Sequence, residues 1–253
     1  MMPEEMQGLM WLLLLLGPLF LAQRSLHREV QAIFLLITRR MDFSIVLFAL
    51  VFFPGVLLHE TSHYLMARIL GVRTGRFSLL PRPLPNGRLQ LGYVETRASD
   101  WVRETLIGAA PLLTGGVVVA YAGVQRLGLT GAWDALSSGT PGAMQLALSA
   151  MLERPDFWLW FYLTLAISST MLPSASDRRA WLPLGLVAAL LLGISLAAGA
   201  GPWLLANAAP WVNRGLEAAA LVLAISLGLH LVLLPPFWLA RRGLSHLSGL
   251  EVA

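Results

Sequence analysis

The 253-residue chain contains no cysteine and no lysine. Without cysteine there is no disulfide, no thiolate zinc site and no thiol nucleophile. All eighteen basic residues are arginine, which reads as a composition bias more than as a function. Charge of any sign is scarce: 13% of residues are Asp, Glu, Lys or Arg, against about 25% in ordinary soluble domains. Hydrophobic residues make up 57% and the mean hydropathy is +0.68. These values exclude a typical soluble domain and point to an all-α polytopic membrane protein. The net charge of +4 is spread over loops, where it controls topology, so no nucleic-acid partner is expected. With no internal repeat and no low-complexity tail, residues 1–253 read as one membrane domain in contact with the lipid bilayer. The expected location is a multi-pass one, in a plasma membrane of prokaryotic type.

The apolar runs predict about six transmembrane helices. The first, Met6 to Gln23, has Glu4 and Glu5 rather than basic residues ahead of it, and reads as a retained span rather than a leader. Ala32 to Thr38 is too short to span and is flanked by arginines, so residues 1–42 are expected to form a span plus an interfacial helix. The second span runs from Phe43 to about Val72, with a kink expected at Pro54-Gly55. Between Arg73 and Arg97 the pattern changes. Asn86-Gly87 followed by period-two alternation from Arg88 to Glu95 predicts a short β-hairpin between the second and third spans. Its strand, with Leu89, Leu91 and Tyr93, offers an edge that an extended peptide can join. The third span, Thr105 to about Leu127, carries Gly108-Ala-Ala-Pro111 and Gly115-Gly116, small residues that allow close helix packing. A loop with one amphipathic piece, Ala143 to Leu152, leads to a fourth span from Asp156 to Pro173. Two C-terminal spans, Trp181 to about Leu205 and Leu216 to Ala240, fall within residues 182–253. Alternation of six spans places eleven arginines on one side. Arg24, Arg28, Arg39 and Arg40 then fall on the other side, against the trend.

The second span contains His59-Glu60-Thr61-Ser62-His63. Helical positions i and i+4 share a face, so His59 and His63 can hold one metal ion together, with Glu60 in reach of a water on it. A His-Glu-His cluster inside a membrane span is costly and marks a functional site. A catalytic zinc takes three protein ligands and keeps a position open. Asp156 and Glu217 fall on the opposite side, His230 reads as a packed histidine, and Glu104 and Asp177 fall on the side toward which the motif helix runs. Both carboxylates remain open on this reading. Thr61, Ser62, Thr114 and Ser168 to Thr170 are polar residues expected either to line a water-filled cavity or to bond helices together.

A membrane-embedded H-E-x-x-H, a hairpin, a Gly-Ala-Ala-Pro span and a span ending in Pro173 and Asp177 together resemble the site-2 protease family of intramembrane zinc metalloproteases. The resemblance covers roughly Ser44 to Trp181. It implies a three-helix metalloprotease core, here residues 43–181, holding one Zn2+ per chain. It further implies that His59 and His63 are zinc ligands, Glu60 the catalytic acid/base and Asp177 the third ligand. The substrate would be a membrane protein or membrane-bound peptide, cut within or next to a transmembrane segment. Ser168 to Thr170 stand where the family carries an Asn, and Arg178 follows the aspartate, which marks a divergent member. Two other readings remain: a membrane zinc protease with a downstream glutamate, Glu104, as third ligand, and a non-catalytic relative that binds membrane segments. The oligomeric state is not legible.

Overall fold

In a computed structural model, residues 7–83 and 89–250 are described, and the chain is mostly helical, at 77%. Among the described residues, three helices are long and apolar enough to cross a bilayer: α1 (Gln7–Thr38), α4 (Trp101–Tyr121, continued by π-type turns over Ala122–Arg126) and α10 (Ala209–Ser248). Two bent pairs bring the number to five if each counts as one span. One pair is α2 (Met41–Val51) with α3 (Phe53–Ile69), bent by 71°; the other is α8 (Trp181–Ala197) with α9 (Gly201–Asn207), bent by 117°. The chain is thus embedded in a membrane by three to five long apolar helices.

Against the expected six spans the helices differ in three places, of which only the second changes the count when each bent pair is taken as one span. First, α1 is one continuous helix rather than a span followed by a separate interfacial helix. Its polar positions find partners instead of breaking it: Gln23 donates to the Ser169 carbonyl and Glu29 pairs with Arg241. Second, α7 (Phe157–Ser168) has only twelve residues. At 1.5 Å per residue that is about 18 Å, well short of a bilayer core of about 30 Å. Third, α8 stops before Gly199, whose φ of 83° turns the chain sharply. Between α4 and α7, the expected single amphipathic piece becomes two short helices, α5 (Leu129–Ser137) and α6 (Pro141–Leu152).

The break between α2 and α3 falls at Phe52, two residues before Pro54. Proline cannot donate to the preceding turn and its ring crowds the carbonyl four residues back, so it starts a helix better than it continues one. The loosened Val51 carbonyl accepts a hydrogen bond from the Tyr162 hydroxyl of α7, 2.9 Å away. Phe52 is buried beside His27 and Phe48, in the core that joins α2 to α1. Gly55 lets α3 lie directly on α7, where an added Cβ would collide with the Ala166 carbonyl and the Thr170 hydroxyl.

Among the described residues, four strands separate α3 from α4. β1 (Thr74–Ser78) pairs antiparallel with β4 (Tyr93–Thr96), in the register Phe77↔Val94 and Ser78↔Tyr93, with an irregularity between Thr74 and Phe77. β2 (Arg82–Pro83) pairs antiparallel with β3 (Leu89–Gln90). The expected Asn86-Gly87 turn lies outside the described residues. Within the alternating run, Leu89–Gln90 and Tyr93–Thr96 are strands with different partners, separated by Leu91-Gly92, and Arg88 also lies outside the described residues.

Candidate metal centre

His59 and His63 occupy successive turns of α3 and their Nε2 atoms lie 3.1 Å apart. Asp177, 114 residues beyond His63 in the sequence, arrives from the stretch after α7. Its Oδ1 is 3.4 Å from His63 Nε2 and its Oδ2 is 3.9 Å from His59 Nε2. One ligand atom from each of the three residues lies within 4.8 Å of the others. Two nitrogens held about 2.0–2.1 Å from a tetrahedral zinc sit about 3.3–3.4 Å apart, so this donor set fits the ion in spacing and in chemistry.

Further contacts aim the ligands. His63 Nδ1 donates to the Ile107 carbonyl of α4 at 2.8 Å. A carbonyl only accepts, so the ring proton sits on Nδ1 and Nε2 keeps its lone pair for a metal. His59 Nδ1 is buried beside the Thr170 backbone, without meeting full hydrogen-bond geometry. Asp177 Oδ2 accepts from the Ser174 backbone N–H at 2.7 Å, and the Ser174 and Ser176 hydroxyls bond to each other at 2.7 Å. The turn from Ser174 to Asp177 therefore orients the carboxylate before any ion is considered.

The turn is set against α4 at Gly108, where an added Cβ would run into the Asp177 carbonyl. Proline at 173 explains why α7 ends early: the residue before a proline is pushed out of helical geometry. The polar run before it then satisfies the frayed end. Thr170 Oγ1 donates to the Ala166 carbonyl at 3.0 Å. Ser169 is buried and bonds to His230 Nε2 at 2.9 Å, while His230 Nδ1 meets the Ser226 carbonyl at 2.7 Å. The Ser226 carbonyl fixes the His230 proton on Nδ1, so Ser169 must be the donor to Nε2.

Glu60 is buried on α3 and faces the strand region. At Gly92 an added Cβ would lie 2.8 Å from Glu60 Cγ and 3.1 Å from its Oε1. Main chain thus lies directly on the Glu60 side chain, which explains why the strand is interrupted there. His59, Glu60, His63 and Asp177 all border one cavity of about 700 Å³. Leu91 and Tyr93 line it too, and Leu89 is placed in β3.

The alternatives for the third ligand lie elsewhere. Glu104 borders the cavity, but its Oε1 accepts from the Ser99 N–H at 3.2 Å and it is not part of the three-residue group. Asp156 is held by Trp160 Nε1 at 2.9 Å and Arg126 at 3.5 Å. Glu217 Oε1 accepts from Asn213 at 2.8 Å. His230 is fully buried in its own bonds. Of the polar residues expected to line a cavity, Ser169 and Thr170 do. Ser62 and Thr114 instead bond across α3 and α4 at 2.6 Å, and Ser168 Oγ bonds back to Leu165 within its own helix.

Four supporting groups were not singled out from the sequence: the Ile107 carbonyl, the Ser174 N–H, Gly92 and the His230–Ser169 bond. Only Gly92 carried a signal, since a glycine inside an alternating run marks a close backbone approach. The others are main-chain atoms or pairings between distant segments. No family model, no curated protein and no solved structure matches the chain. Its chemistry has to be read from its own residues.

Proposed function

We propose that the chain is an intramembrane zinc metalloprotease of the kind its motifs resemble, the site-2 proteases. One observation carries this reading: His59, His63 and Asp177 converge beside Glu60 at the wall of one cavity. A zinc ion held by these three ligands would polarise a scissile carbonyl and bring the pKa of a water toward about 7. Glu60, on the same cavity wall, would accept the proton of the attacking water and return it to the leaving nitrogen. His63 is held by Ile107 in the tautomer that leaves Nε2 for the metal. Asp177 is held by Ser174.

The substrate class follows from the cavity wall. Residues Leu91 to Val94 border it, and a peptide laid along that backbone would bond main chain to main chain, with Leu91 and Tyr93 beside its side chains. A helical substrate segment has no free backbone donors, so it must unwind into an extended form to bind there. The substrate is therefore a membrane-protein or membrane-bound peptide segment able to lose its helix next to the bilayer.

Purified protein should hold one zinc, and Glu60→Gln should keep the metal while losing cleavage of a transmembrane-segment substrate. Asp177→Ala should release metal and Glu104→Ala should not. Metal analysis of the variants decides between the two carboxylates. Protein that takes up no zinc, or Glu60→Gln that still cleaves, overturns the proposal.

A further inference from the structure

Arginine placement is independent of the metal chemistry and bears on how the motif helices meet the membrane. α1 and α10 run parallel: Gly8 bonds to Asn213 near their starts, and Glu29 pairs with Arg241 toward their ends. The first half of α1 shares a core with Val119, Leu129 and Val222. Its second half shares a core with Phe48, Leu91 and Phe237. The strands, the turn at Asp177 and the ends of α1 and α10 therefore lie at one end of the bundle. The start of α1, α5 and the start of α7 lie at the other.

The α2–α3 pair begins and finishes at the same end. α2 follows α1 directly and runs back along it, since Ser44 Oγ bonds to the Gln31 carbonyl at 3.1 Å and Phe48 packs on His27. α3 then returns antiparallel to α4: Ser62 meets Thr114, His63 meets Ile107, and Ala67 packs with Ile107 and Val72 just before the strands. The two helices meet at Phe52 with a bend of 71°.

This arrangement removes the conflict in the arginine pattern. Of the seventeen described arginines, Arg126, Arg154 and Arg214 lie at the end with α5. The other fourteen lie at the end with the strands: four from Arg24 to Arg40, six from Arg68 to Arg103, and the pairs at 178–179 and 241–242. Aromatic rings accompany some of them, with the Arg40 guanidinium 4.6 Å from the Phe43 ring centre and that of Arg242 4.1 Å from Trp238. Arginine clusters of this kind are retained on the cytoplasmic side and attract anionic headgroups. We infer that Met41–Ile69 is a re-entrant element that enters and leaves the membrane on one side, and that this arginine-bearing side is the surface meeting the anionic headgroups of the cytoplasmic leaflet. The chain then crosses through α1, α4, α7 with the stretch to Asp177, α8 with α9, and α10. Its first and last helices both run toward the cytoplasm.

The absence of cysteine makes the test direct. Single cysteines at Met41, Glu95, Ser137 and His246, all exposed positions, are treated with a membrane-impermeant maleimide in intact cells and in inverted vesicles. Labelling after solubilisation confirms that each thiol is reactive. Met41→Cys, Glu95→Cys and His246→Cys should react in inverted vesicles and be protected in intact cells, with Ser137→Cys showing the opposite pattern. A continuous span over α2 and α3 would instead put Met41→Cys on the side of Ser137→Cys, and that result overturns the inference. So would labelling of Glu95→Cys in intact cells. Neither outcome depends on whether the protein binds zinc.

Discussion

At the scale of single residues, the site depends on atoms whose protons are assigned by a neighbour. The Ile107 carbonyl leaves His63 only one way to present itself to a metal, and the Ser226 carbonyl does the same for His230 toward Ser169. Replacing His230 by Phe keeps the ring but leaves the Ser169 hydroxyl buried with no acceptor there. A buried unsatisfied donor costs about 1–3 kcal/mol, so His230→Phe should lower stability by that order in denaturation in detergent, and Gln should lose less. Asp100 is a second case, outside the bilayer. It caps α4, with Oδ1 accepting from the Arg103 N–H at 3.0 Å, and that bond holds its carboxyl below the usual carboxylate value. A carboxylate lowered by folding stabilises the fold above its unfolded pKa, and the contribution fades as pH falls through the folded value. Asp100→Asn keeps a capping oxygen without the charge. It should flatten the acid limb of a stability–pH profile below about pH 4 relative to the parent. Identical limbs would mean that the cap does not titrate with folding.

At the scale of elements, short-range glycine contacts decide whether the pieces of the site meet. Gly108 lets the Asp177 turn lie against α4, and Gly92 lets the strand region lie on Glu60. In both cases the atoms approached include backbone or the base of a side chain, which cannot swing away. Gly108→Ala should displace the turn, costing about 1–3 kcal/mol of overpacking strain, and should weaken metal binding about 10–100-fold as lost supports of ligands do. Gly92→Val should do something different. It touches Glu60 and the Ser78 carbonyl rather than the ligands, so zinc content should hold while cleavage falls. Equal metal loss in both variants would show that the strands and the ligand turn move as one piece. The early end of α7 belongs to this scale as well, because a full-length span there would carry Asp177 away from the histidines.

For the whole molecule, Asp177 lies 114 residues beyond His63, so a metal ion held by the three candidate ligands would join α3 to the stretch after α7 in the folded state alone. An ion that binds only the folded state stabilises it by about 2.7 kcal/mol at a hundred times its dissociation constant. Chelation should therefore lower the midpoint of thermal unfolding in detergent, and zinc should restore it in a concentration-dependent way. Asp177→Ala should remove most of that response. α1 packs parallel on α10, which in turn packs on α4 and α7, and the partly buried Glu29–Arg241 pair joins the ends of α1 and α10. These two helices also supply Gln23 and His230, the partners of Ser169.

The membrane class, the paired histidines and Glu60 were legible in the sequence because they are local: composition, apolar runs and the i, i+4 spacing of one helix need no distant partner. Asp177 was legible only as one of two carboxylates on the correct side, Glu104 being the other. Tertiary structure separated them, since Pro173 ends α7, Ser174 turns the carboxylate and Gly108 admits the turn, whereas Glu104 is engaged by Ser99. Apolar runs alone divided α1 into two pieces and drew α7 longer than its twelve residues, for one reason. Hydropathy measures how apolar a segment is, and the direction in which it runs is decided by what it packs against. The path of α2 along α1 and of α3 along α4 is a property of contacts between segments, and it alone determines at which end of the helix bundle the motif helix finishes.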